Sequence, residues 1–142
     1  MAEFNLKRFF DAQERDYPIA LQEIKNGRKV SHWMWYIFPQ IIGLGRTSIS
    51  QYYAIANLEE AKAYISDPIL KSHMLEICEA LLDLKDKDAG KIFGFPDYLK
   101  LKSCMTLFEI AAPQYLVFSQ VLEQYFKGDR DQKTIDIIEN SI

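Results

Sequence analysis

Residues 30–53 hold both tryptophans, one of the two histidines and a Gly-Leu-Gly turn. Each aromatic ring carries roughly 150–250 Å² of buriable surface, so a block this rich in Trp and Tyr is expensive to leave in water. Such a segment is either the centre of a core or the wall of a pocket. The remaining chain must be able to wrap around it.

The length allows this. A chain of 142 residues is one ordinary domain, able to bury about 68–70% of its unfolded surface around a single core. With 49% hydrophobic and 26% charged residues it falls in the soluble globular class. A net charge of −3 and a pI near 5.4 give no electrostatic footprint for a phosphate backbone, which argues against nucleic acid as a partner. Met1 to Arg8 carries an acid and lacks the apolar stretch of a secretory signal. The longest strictly apolar run, Trp33 to Phe38, is far too short to span a bilayer. Cys78 and Cys104 each sit in an apolar helical pattern and read as free thiols. The expectation is a cytoplasmic protein without a membrane segment.

Apolar spacing points to helices throughout. Asn5 is placed to cap a first short helix carrying Leu6, Phe9, Phe10 and Gln13, and Asp16-Tyr17-Pro18 to open a second that stops at Asn26-Gly27. Ser31 can cap a turn or two through Ile37, which Pro39 ends; a strand competes there, but nothing else in the chain alternates to pair with it. Further helices are expected from Ser48 or Ser50 to Ala56, Leu58 to Ile65, Pro68 to Leu82, Asp97 to Ala111, Leu116 to Phe126 and after Asp131. Residues 85–90 read as a charged connector and Ile92 to Asp97 as a turn. The fold class is all-α: a compact single domain, residues 1–142, of about eight short to medium helices.

Three constellations could carry chemistry. The Gly43–Ser50 turn points backbone N–H groups at one spot, and Arg46 adds a bidentate donor for phosphate or carboxylate; the plain alternative is a structural turn with a solvated arginine. Among His32, Trp33, Trp35, Tyr36 and Gln40, the rings of Trp33 and Tyr36 could stack on a planar ligand while His32 and Gln40 read its polar edge; core packing is the competing use, and the better one for Trp35, Ile37 and Phe38. In the third, Asp97 is most economically an N-cap, yet Lys100 and Ser103, three apart, can share a helix face with Cys104 or Thr106. No Gly-x-Ser-x-Gly elbow, His-Glu-x-x-His or Cys-x-x-Cys occurs, and no metal-ligand spacing is present.

The strings Ser-His-Trp-Met-Trp-Tyr-Ile-Phe-Pro-Gln (31–40), Gly-Leu-Gly-x-x-Ser-x-x-x-Tyr-Tyr-Ala-Ile (43–55), Ile-Phe-Gly-x-Pro-Asp (92–97) and Lys-Leu-Lys-Ser-Cys-Met-Thr-Leu-Phe (100–108) resemble those of the domain-of-unknown-function 1810 family, over nearly the whole chain. The resemblance implies a compact, mainly helical single domain and brings no activity with it. The label calpastatin, carried by some members, fits badly, since that inhibitor is disordered and this composition is that of a folded core. Two positions depart from the family pattern: Tyr36 stands where a phenylalanine is common, and Tyr98 where a second aspartate follows Pro-Asp. The latter leaves Asp97 as the single acid at that turn.

The resulting expectation is a small anionic, ring-containing, nucleotide-like ligand held between residues 32–50 and the helix beginning at Asp97. Trp33 and Tyr36 would stack; Gln40 and His32 would read polar edges; Gly43, Gly45, Arg46, Ser48, Lys100 and Ser103 would hold the anion. Asp97 and His32 are the candidate acid–base groups for a hydrolytic step. No cofactor or metal is called for. The alternative is a protein-interaction or oligomerisation module with exposed aromatics and no catalysis, and a third possibility is that the aromatic segment is purely a folding centre.

Overall fold

The computed structural model describes residues 4–86 and 88–140. Among these, nine helices follow one another: α1 Lys7–Lys25, α2 Met34–Ile37, α3 Ser48–Tyr53, α4 Leu58–Ser66, α5 Pro68–Asp83, α6 Ala89–Phe93, α7 Asp97–Ala111, α8 Val117–Phe126 and α9 Gln132–Asn140. A single parallel bridge between Ile41 and Ile55 clamps the two ends of the segment that contains α3. The all-α class is as the periodicity indicates.

The centre of the molecule is α7. Its whole run from Ser103 to Phe108 is buried, the signature of a helix enclosed by neighbours on most sides rather than one lying on a surface. Helices α4, α6, α8 and α9 pack on it, and α5 bridges α1, α4 and α8. Cys78 and Cys104 are free and fully buried in this core. Burial pushes both thiols up, so neither forms a thiolate nucleophile near neutral pH.

Four local expectations are corrected. The two N-terminal helices are one, because α1 runs straight through Pro18. An interior proline costs roughly 3 kcal/mol. However, Phe9, Ala12, Tyr17, Ala20 and Ile24 all bury along this helix, and each large side chain contributes about 1.5–3 kcal/mol. The connector and turn expected over residues 85–97 contain a short helix, α6, started by Asp88, whose carboxylate accepts from the backbone N–H of Gly90 and Lys91; Lys87 lies outside the described residues. Thr47, not Ser48 or Ser50, caps α3. Asp97 is the first residue of α7 and makes no cap bond, Pro96 holding the cap position. Its carboxylate is thereby released for other partners.

The entry of the chain is fastened by a buried ion pair. Arg8 meets Glu60 at 3.0 Å, with both side chains almost fully enclosed. The guanidinium also donates to the carbonyls of Tyr52 (2.8 Å), Ala54 (3.0 Å) and Asn5. The second oxygen of Glu60 accepts from the Ala56 N–H at 2.7 Å. One arginine therefore joins α1 to the backbone that leaves α3 and enters α4. Removing one partner of such a pair strands the other, which typically costs about 3–5 kcal/mol. Arg8→Ala is expected to lower the unfolding free energy by about that amount in urea titrations, with Glu60→Gln less damaging because the amide still accepts from Ala56.

Candidate functional site

The candidate site begins where α1 ends. Gly27, at φ +81°, turns the chain out of the helix, and Glu23 in the last turn of α1 then captures the returning backbone. One carboxylate oxygen accepts from the N–H groups of Val30 (2.8 Å) and Ser31 (2.9 Å) and from the Trp33 indole (2.9 Å), while the other accepts from the Ser31 hydroxyl (2.6 Å). Partial burial would raise this carboxyl, but the bonds from Ser31, Val30 and Trp33 outweigh it and hold Glu23 at about 2.

With that anchor set, Trp33 drops into the core, 1% exposed, its ring packed near Phe38 and Phe93. The one-turn helix α2 then presents Trp35 outward. Helix α7 supplies the opposite wall, forming a cleft of about 220 Å³ bounded by Lys29, His32, Trp35, Ile49, Asp97 and Lys100. Asp97 sits between two ammonium groups, Lys29 at 2.9 Å on one oxygen and Lys100 at 2.8 Å on the other. Partial burial works to raise the Asp97 carboxyl, but hydrogen bonds and charge from Lys100 and Lys29 prevail and hold it below its ordinary value. Both lysines also face indoles, Lys100 at 4.2 Å from the Trp35 ring centre and Lys29 at 5.1 Å from that of Trp33, within cation–π range.

Of the expected site residues, His32, Asp97 and Lys100 meet in this cleft, and the others are placed differently. Trp33 and Tyr36 touch its floor but are not available for stacking. Trp33 is enclosed, and Tyr36, 5% exposed, donates its hydroxyl to Asp16. Gln40, Gly43 and Gly45 border a separate hollow of about 10 Å³, the room of a single water, on the other side of Trp35. Gln40 is 6% exposed and its side-chain nitrogen has no protein acceptor. At Gly45 a methyl group would fall 2.5 Å from the Ser50 hydroxyl and 3.2 Å from the Trp35 ring, so this glycine permits a close backbone approach. Arg46 and Ser48 are exposed and lie outside the cleft lining. Ser103 is buried, its hydroxyl 3.1 Å from Asp131 and 3.2 Å from the Leu99 carbonyl; Asp131 in turn accepts from Thr134 at the start of α9, so Ser103 braces a helix junction.

Sequence reasoning missed Lys29, Trp35 and Ile49 as lining residues. Trp35 reads as core packing from the sequence alone. The available signal was the pairing of an alternate-residue Trp-Met-Trp with a one-turn helix, which sends its two indoles to different sides.

The sequence profile of a family described as a protein of unknown function, DUF1810, matches residues 3–138. This chain belongs to that family. The conserved hypothetical protein Rv1873 from Mycobacterium tuberculosis, known from a crystal structure, is similar to this DUF1810 chain at 38% identity and a TM-score of 0.94, over 96% of this chain and 97% of that one. No curated protein matches it.

In this DUF1810 domain the described residues contain no group of three or more His, Cys, Asp or Glu that could hold a metal ion, and no helix among them is long and apolar enough to cross a membrane. Glu23 is the part of the site most open to test. Its depressed pKa contributes stability that is complete above the unfolded glutamate value of 4.5 and is lost as pH falls through about 2. Glu23→Gln is expected to cost roughly 1–3 kcal/mol at pH 7, to flatten the acid limb of the stability–pH curve below pH 4.5, and to red-shift Trp33 emission, all measurable by fluorescence-detected urea titrations across pH.

Proposed function

We propose that this domain binds a small anion carried on a planar ring in the Lys29–Trp35–Lys100 cleft. The observation that carries the reading is the count of charges around Asp97: two ammonium groups share one carboxylate, leaving a local excess of one positive charge next to an aromatic face. An anion entering here gains Coulomb attraction in a recess where solvent screening is reduced. Lys100 is the more exposed of the two lysines and is the group that reaches it. Trp35, the ring that borders the cleft while remaining partly exposed, takes the stacking role first expected of Trp33 and Tyr36. His32 at the rim supplies a ring nitrogen for a polar edge.

The reading is one of binding. A carboxylate already paired twice and held below its ordinary value has no proton to deliver near neutral pH, so Asp97 is unsuited to act as the general acid of a hydrolytic step. Its part here is to set the two lysines at a fixed separation, which prepares the anion site before the ligand arrives.

A thermal-shift screen of nucleoside monophosphates and sugar phosphates checks this. At tenfold excess over Kd a ligand adds about 1.4 kcal/mol, a rise of a few degrees for a domain of this size. Lys100→Ala and Trp35→Ala are expected to abolish the rise, whereas Arg46→Ala leaves it intact. No shift with any anionic ring compound at millimolar concentration, or an undiminished shift in Lys100→Ala, overturns the reading.

A further inference from the structure

A second recess lies between α1 and α5 and shares no lining residue with the cleft. It measures about 430 Å³, within the range of small-molecule sites. Its walls are Phe10, Tyr17, Pro18, Ile69 and Leu70, with His73 at its edge. Two features set its chemistry: the protonation state of one imidazole, and the sign of the charge around it.

The imidazole is fixed by Gln13, which is 2% exposed. Its side-chain nitrogen donates to the Tyr36 carbonyl and to the Tyr64 hydroxyl, each at 2.8 Å, which uses both amide hydrogens. The reversed amide would set oxygen against the Tyr36 carbonyl oxygen, so this orientation is the consistent one. The remaining amide oxygen faces His73 Nδ1 at 2.8 Å and has only lone pairs to offer. Nδ1 therefore carries the proton, and in the neutral ring Nε2 is a bare acceptor. Burial lowers the His73 pKa against a weaker opposing pull from Glu76, in keeping with a neutral ring. The ring is also held flat against Tyr17, centroids 3.8 Å apart and 11° from parallel, while the Tyr17 hydroxyl donates to Glu76 at 2.6 Å. The acceptor is thus built into a stack that is fixed at both ends.

The lining contains one ionisable acid, Glu14, and no lysine or arginine. An apolar recess with a fixed acceptor and a carboxylate favours a flat hydrophobic molecule that brings donors and positive charge. We propose that the α1–α5 recess binds a small aromatic amine, its ring against Tyr17, His73 and Ile69, a ring N–H donated to His73 Nε2 and its ammonium group directed to Glu14.

Tryptamine, indole-3-propionate and 1-methyltryptamine separate these contributions, with binding followed by amide chemical shifts of the intact chain. The expected result is saturable movement of Tyr17, Ile69 and His73 with tryptamine at millimolar Kd. Indole-3-propionate should bind at least fivefold more weakly, and 1-methyltryptamine, which lacks the ring donor, at least threefold more weakly. Glu14→Gln, at an exposed position, should narrow the gap between the amine and the carboxylate; His73→Phe keeps a ring on Tyr17 and should make tryptamine and its methylated form equal. No saturable movement with tryptamine overturns the proposal, as does equal binding of the three probes to the unaltered protein. Movement of the same amides with protein concentration alone also overturns it, because a second copy would then be the occupant.

Discussion

A carboxylate that accepts four hydrogen bonds decides where the most aromatic part of this protein goes. Glu23 takes the Val30 and Ser31 amides, the Ser31 hydroxyl and the Trp33 indole, and this pins the chain just as it leaves α1. Bonds to an ionised acceptor are about twice as strong as neutral ones, so one glutamate can fix several consecutive residues that have no helix of their own. With Trp33 tethered by its nitrogen, its rings point inward, and two residues later Trp35 must face the other way. The cleft exists because of that division.

The same economy recurs elsewhere. Arg8 and Glu60 join α1 to the loop before α4; Asp131 gathers Ser103 of α7 and Thr134 of α9; Gln13 connects α1 to α2, α4 and α5 through Tyr36, Tyr64 and His73. Each is a buried or half-buried polar group with its bonding capacity engaged across different helices. The hydrophobic core supplies most of the drive to collapse, whereas satisfied polar networks of this kind select one arrangement of many short helices, since any other packing would leave them unpaired. Gln40 stands apart, its nitrogen without a protein acceptor beside a hollow with room for one water.

The cleft and the α1–α5 recess differ in sign. Lysines dominate the first, set on either side of Asp97, and an acid and a neutral imidazole mark the second. Tyr36 and Gln13 link the two regions by a hydrogen bond at 2.8 Å, so the α2 backbone is held by the same amide that fixes His73.

Periodicity of apolar residues was enough to read the all-α class and the helix expected from Pro68 to Leu82, found as Pro68–Asp83, because these depend on neighbours three or four positions away. Local reasoning also brought His32, Asp97 and Lys100 to one place. It failed wherever a distant partner outbid a local one: Pro18 sits inside a helix because the face around it is buried, Asp97 leaves its cap role for two lysines, Ser103 serves Asp131, and the two tryptophans divide between core and cleft. Spacing along the chain settles which residues can share a helix face. Only tertiary structure decides which of those faces are enclosed and which polar groups find each other, since burial and long-range hydrogen bonds depend on segments far apart in the chain.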